Sequence, residues 1–386
     1  MRFLTLLFAL LLAALPARGE PATILAALAQ IPADPDWWGK TRTVDIVDLA
    51  ALRQVSGVGS DVTLTAFTEH RLSPADELAA TSLLWRLHGT VGFRDYLLAG
   101  AALWPEQLGL DFLELGWFSE PGTPPRVLLL LGGEALPRGA ALAVLGQAGF
   151  MPVEHDGITA WAKGEKDFGQ DLRNRAPGFP FWGWLGMSAR LFRGEAALVG
   201  ARSWADLDLA LAVERGEAES LADLPRFRLA AEALAHADYS AGPVLQVTFL
   251  DQAHGEGVLA AAPDGLPPFE LFAFADREDA SGQQVVLVLS YGTDAATAAA
   301  AADALAERLT QYKDSKGATL AERFPGLTVE PTLLESETGA AAVVRLATPP
   351  EPAKSESGKV NNRSRLYAHF LRMLYSRDLG FLAPRG

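Results

Sequence analysis

Short apolar runs joined mostly by hairpins, with helices between them, predict an α+β fold: mixed or antiparallel sheets covered by helices. Three observations carry this expectation. Runs such as Val127–Leu131 and Val285–Leu289 end at glycine or polar turns. The order strand, helix, hairpin can be traced twice along the chain. The composition, 49% hydrophobic and 21% charged over 386 residues, is that of a chain able to bury a core.

The chain opens with Met1 and Arg2, an apolar stretch from Phe3 to Leu15 broken only by Thr5, then Pro16, Ala17, Arg18, Gly19 and Glu20. A basic start, a short apolar segment and small residues at Ala17 and Gly19 are the parts of a secretory signal peptide, 1–19, cleaved after Gly19. Spanning a bilayer takes about 20 apolar residues, and an uncleaved anchor is the alternative reading. A lipid-modified export signal needs a cysteine, and the chain has none. The expectation is a soluble periplasmic protein. Abundant alanine, arginine in excess of lysine and few asparagines fit a GC-rich bacterial genome.

Residues 20–120 read as a mainly helical part after a strand at Thr43–Leu49. Ser73, Pro74, Asp76 and Glu77 supply an N-cap, a first-turn proline and early acids, so a helix is expected over Pro74–His88 with Leu78, Leu84, Trp85 and Leu87 on its apolar face. A further helix is expected over Phe93–Leu103, before Pro105.

Residues 121–250 form the first α+β unit: a buried strand at Val127–Leu131, a helix over Pro137–Ala148, and a hairpin of Phe150–Glu154 and Ile158–Lys163 turning at Asp156-Gly157. A second hairpin across Arg193–Glu195, a helix capped by Ser203 with Asp206 three residues on, a helix over Pro225–His236 and a strand at Val244–Leu250 follow. Residues 251–348 form the second unit, with strands at Phe269–Ala275 and Val285–Leu289, a helix over Asp294–Tyr312, and strands at Val329–Glu335 and Ala341–Leu346. The two units share a plan without residue-level identity.

Thirty-three basic and 47 acidic side chains give a formal charge of −14. That balance argues against nucleic acid as a partner, since phosphate neutralisation needs a basic face. The absence of cysteine excludes disulfides, iron–sulfur clusters, cysteine nucleophiles and thiolate zinc sites. No Gly-x-Ser-x-Gly elbow occurs, and Gly57-Val58-Gly59-Ser60 lacks the third glycine and the lysine of a phosphate loop. Asp251, His254 and Glu256 cluster after a strand, yet nothing identifies further metal ligands, and a solvated turn is the simpler reading. No catalytic residue, metal site or cofactor is expected.

Two segments are candidates for contact. Residues 166–187 lack a clear period and carry Arg173, Arg175, Phe179, Phe181, Trp182 and Trp184, residues suited to a lid or platform where flat rings stack on a ligand and arginines attract an acidic group. The alternative is a plug that serves the core. At the C-terminus, residues 349–362 have the composition of a flexible linker. Residues 363–386 read as a basic amphipathic helix, in which Arg365, Leu366, Phe370, Leu371, Arg372 and Leu374 are candidate docking residues, with Arg365, His369, Arg372 and Ser376 on the polar side. Such a helix can fold back on its own domain, lie on an anionic membrane surface or enter a partner's groove. Deletion after Thr348 is expected to leave the fold intact.

These readings point to an exported binding or protein-interaction protein of the bacterial cell envelope, contacting an envelope protein or membrane surface through the terminal helix. The alternatives are a cell-envelope hydrolase whose active groups lie scattered on sheet-edge loops, and a structural envelope protein with no small ligand.

Overall fold

The computed structural model describes residues 22–34, 42–87, 100–175, 179–236, 242–251, 259, 262–350 and 364–385. The expected leader, the helix over Phe93–Leu103, His254, Glu256 and the linker fall wholly or mostly outside them.

The architecture is α+β, built on one antiparallel sheet. Its order is β12 (Thr328–Ser336), β13 (Gly339–Thr348), β11 (Gly282–Ser290), β10 (Leu271–Asp279), β9 (Val244–Asp251), β1 (Arg42–Asp48), β2 (Trp117–Ser119), β4 (Arg126–Gly132), β8 (Ala197–Ala201), β7 (Ala189–Arg193), β6 (Ile158–Lys163) and β5 (Met151–His155). The short β3 (Gly122–Thr123) pairs with β4 beside this path. Strand β1 lies in the middle, with Ile46 opposite Val247 of β9 and opposite Ser119 of β2. The boundary expected at 250 falls at the end of β9, whose neighbours are β1 and β10.

Ten α-helices accompany the sheet among the described residues: α1 (Ala22–Leu28), α2 (Leu49–Ser56), α3 (Leu64–Thr68), α4 (Pro74–Arg86), α5 (Trp104–Gln107), α6 (Trp204–Glu214), α7 (Pro225–Ala235), α8 (Ala295–Gln311), α9 (Leu320–Arg323) and α10 (Arg365–Tyr375). Local chemistry starts several of them. Ser73, Ser203 and Asp294 cap α4, α6 and α8 by accepting hydrogen bonds from the third backbone N–H beyond them. The segment expected to be α-helical from Pro137 winds instead as a 3-10 helix over Gly139–Ala148, with no side-chain cap and two glycines that lower its α preference.

Helices cover both faces, which is why the central strands read as continuous apolar runs and do not alternate. On one face α1, α6 and α7 form a single core over Val44, Ile46, Leu128, Leu130, Val247, Val286 and Val343. On the other face the apolar surface divides. Beside β4 and β7, α2 to α5 and the 3-10 helix pack on Leu129, Leu131 and Leu191. Beside β10, β11 and β13, α8 and α10 pack on Phe272, Phe274, Leu287 and Val344.

The two strand–helix segments return to the sheet differently. After β11 and α8, the hairpin β12–β13 brings β13 directly beside β11. After β4 and the 3-10 helix, the hairpin β5–β6 is followed by β7 and β8, and β8 returns to β4. The β5–β6 turn holds Asp156 and Gly157 at φ +45° and +76°, the pair of positive values a two-residue hairpin turn of this hand needs.

One helix face departs from expectation. On α4, Trp85 is 54% exposed, whereas Arg86 is 1% exposed. The inward positions are Ala80, Leu83, Leu84 and Arg86, because Arg86 finds two buried carboxylates on β10.

Candidate functional site

Three rings of the aromatic segment serve the core. Phe179, Phe181 and Trp182 are buried under the sheet with Leu191 and Leu198. Phe179 packs between Phe150 and Phe181, with ring centroids 5.0 and 5.7 Å away. Gly200 makes room for them, since a Cβ there would come within 2.2 Å of the Phe181 ring. Arg173 and Arg175 are exposed, apart from these rings. Trp182 takes a left-handed φ of +56°, and Gly183–Leu185 turns as a 3-10 helix.

Asp251, at the end of β9, is buried and accepts from Nε and Nη2 of Arg226 at 3.0 and 2.8 Å. This bidentate pair ties α7 to the sheet. No group of three or more metal-ligating side chains occurs among the described residues.

Between the two apolar patches on the divided face runs a buried polar seam. Arg86 donates from Nε and Nη2 to the carboxylate of Asp276, both at 2.9 Å, and from Nη1 to Glu278. Gln246 donates to the Arg86 carbonyl at 2.9 Å. Gln283 accepts from the backbone N–H of Leu366 at 3.3 Å, so the first turn of α10 rests on this network. Further along, Thr248 donates to Asp45 at 2.5 Å and lies 3.0 Å from the Tyr367 hydroxyl. Burial, with the Asp45 carboxylate beside it, pushes Glu120 up to about 7.

The terminal helix divides its residues between inside and outside. Leu366, Phe370, Leu371 and Leu374 are buried against the sheet and α8, so its apolar face is covered by the chain's own core. Arg365 and Arg372 are exposed on the opposite side. There they meet α9 and its C-cap Phe324 and form a pocket of about 190 Å³ lined by Arg323, Phe324, Arg365, Ala368, His369 and Arg372.

The pocket's chemistry is basic above an aromatic floor. The Arg365 guanidinium lies 6.0 Å from the centroid of the Phe324 ring, and His369 meets that ring edge-on at 5.6 Å. Arg323 pairs with Asp314, whose carboxylate also accepts from the backbone N–H groups of Lys316 and Ala318 at 2.9 and 3.1 Å. Arg372 has no carboxylate partner among the described residues. Burial, then the nearby Arg372 and Arg323 charges, push His369 below the usual histidine value, against the weaker pull of Asp314 and Asp378. The lining presents three fixed positive charges and contains no carboxylate.

Of this group, periodicity identifies Arg365, His369 and Arg372 as one helix side. Arg323 and Phe324 carry no sequence signal, because only the packing of α9 on α10 brings them there.

No family model matches the chain, and no curated protein matches it. Among solved structures, crystal form III of TP0453 aligns with 82% of this chain and 92% of its own at 8% identity and a TM-score of 0.32. Crystal form I of TP0453 aligns with 82% and 90% at 9% identity and a TM-score of 0.31. Scores this low assign neither fold nor function by likeness.

Proposed function

We propose that the protein is an exported, non-catalytic binding protein of a bacterial cell envelope that recognises an anionic group through the outward face of α10. The supporting observation is the pocket in which Arg323, Arg365 and Arg372 converge on a chain whose formal charge is −14. Because the apolar face of α10 is buried in its own core, the contact is made by charge and hydrogen bonding at the surface and not by insertion of the helix into a bilayer. The N-terminal leader pattern supports a periplasmic address. No helix among the described residues is long and apolar enough to cross a membrane.

The test is retention of the purified protein on an anionic matrix, compared with the Arg365→Glu/Arg372→Glu variant. The wild type is expected to elute at clearly higher salt than the variant. Equal elution would remove the helix from the binding surface. N-terminal sequencing of the periplasmic fraction checks the address, with a mature start at Glu20 as the expected result.

The competing reading, an envelope hydrolase, draws support from Glu120, whose carboxyl is pushed up to about 7 by burial and the nearby Asp45. Substrate turnover that vanishes in Glu120→Gln would favour it.

A further inference from the structure

We infer that the pocket between α9 and α10 binds a phosphate group, either free or as the monoester of a lipid headgroup. The inference rests on the binding reading above and gives it a ligand class. A carboxylate is planar and is satisfied by one arginine fork, whereas a tetrahedral phosphate offers acceptor oxygens in several directions and matches guanidinium groups arriving from different elements. Here one arginine comes from α9 and two from α10, about two turns apart on the same side. At about 190 Å³ the pocket has room for a phosphate group.

The described acids near the pocket have local partners. Asp314 accepts from Arg323 and two backbone N–H groups. Glu322 accepts from the backbone and hydroxyl of Thr319 at 2.7 and 3.0 Å. Asp378 accepts from the Tyr312 hydroxyl and from the Ser315 N–H. Each carboxylate is thus turned into a cap or turn, and Asp314 holds Arg323 at the rim through its Nε, leaving the rest of that guanidinium for a ligand. His369 lines the pocket and is 5% exposed, and a bound dianion would favour its protonated form. The Phe324 ring lowers the dielectric on one wall and strengthens each charged contact.

Calorimetric titration of the full chain with inorganic phosphate at low ionic strength, with chloride as the control anion, tests the site. The expected result is saturable phosphate binding that weakens at least about tenfold in Arg372→Ala, the loss of one charge-assisted contact, with an unchanged melting temperature in the absence of phosphate. Arg372→Lys keeps the charge without the fork and should retain part of the affinity. A second arm uses sedimentation with phosphatidylcholine vesicles, with and without phosphatidic acid. Phosphate binding with phosphatidic-acid-dependent sedimentation supports the site and identifies the headgroup as its source. Phosphate binding alone supports it with free phosphate as the source. No phosphate binding, or binding equal in Arg372→Ala, overturns the inference. Anionic-matrix retention that survives such a result would leave the broader binding reading standing.

Discussion

The aromatic segment 166–187 and the terminal helix both carry apolar and basic residues with the look of a contact surface, and both give their apolar side chains to the same divided face of the sheet. They differ in what remains outside. In the helix, a period of 3.6 residues sends Leu366, Phe370 and Leu374 inward and keeps Arg365 and Arg372 exposed on the other side, where His369, on the same stripe, is itself buried. In the aromatic segment no period holds Arg173 and Arg175 in register with the rings, and Phe179, Phe181 and Trp182 are consumed by the core. A regular element can therefore serve core and surface at once.

The largest test of this comparison is truncation after Thr348. It would strip from the second apolar patch the buried Leu366, Tyr367, Phe370, Leu371, Met373 and Leu374, each worth about 1.5–3 kcal/mol if fully buried. The sum is comparable to the whole stability of an ordinary domain, about 5–15 kcal/mol. Loss of cooperative thermal unfolding is expected, contrary to the sequence expectation of a dispensable tail. An unchanged melting curve would mean that α10 is tethered and not integral.

Next in size, Arg86→Met should cost about 3–5 kcal/mol in denaturant unfolding, because it leaves Asp276 and Glu278 buried without their partner. Phe181→Ala and Phe370→Ala should each cost about 3–5 kcal/mol, since both rings are fully enclosed. If Phe181→Ala were neutral, the aromatic segment would regain its standing as a mobile lid. Arg173→Ala and Arg175→Ala, both exposed, should shift stability by no more than about 0.5 kcal/mol.

A separate effect is a slope with pH. Glu120 titrates at about 7 in the folded protein, above its ordinary value of 4.5. Below 4.5 both folded and unfolded states hold the proton; between 4.5 and about 7 only the folded state does, so stability falls as pH rises through that window. Glu120→Gln should flatten that part of the stability–pH curve, and an unaltered slope would assign it to other groups.

Much of the fold was legible because local rules and tertiary packing agree. Ser73 and Ser203 mark helix starts through their own hydroxyls, and Asp156-Gly157 marks a hairpin through its tolerance of positive φ. The inward turn of Arg86 was not legible, since an arginine between Trp85 and Leu87 reads as solvent-facing until Asp276, 190 residues away in sequence, is brought beside it. Gly200 likewise has no evident purpose in the sequence, and acquires one only when Phe181 needs its space.

The amino-acid sequence by itself determined the α+β class, most of the element boundaries and the two-sided character of the terminal helix, because capping, turn chemistry and periodicity act over a few residues. The tertiary structure alone decided which side of that helix the chain keeps, that Phe179, Phe181 and Trp182 belong to the core, and that Arg323 and Phe324 complete a pocket with Arg365 and Arg372. Those outcomes depend on which surfaces remain to be covered once a sheet joins β1 to both β2 and β9, and no local pattern carries that information.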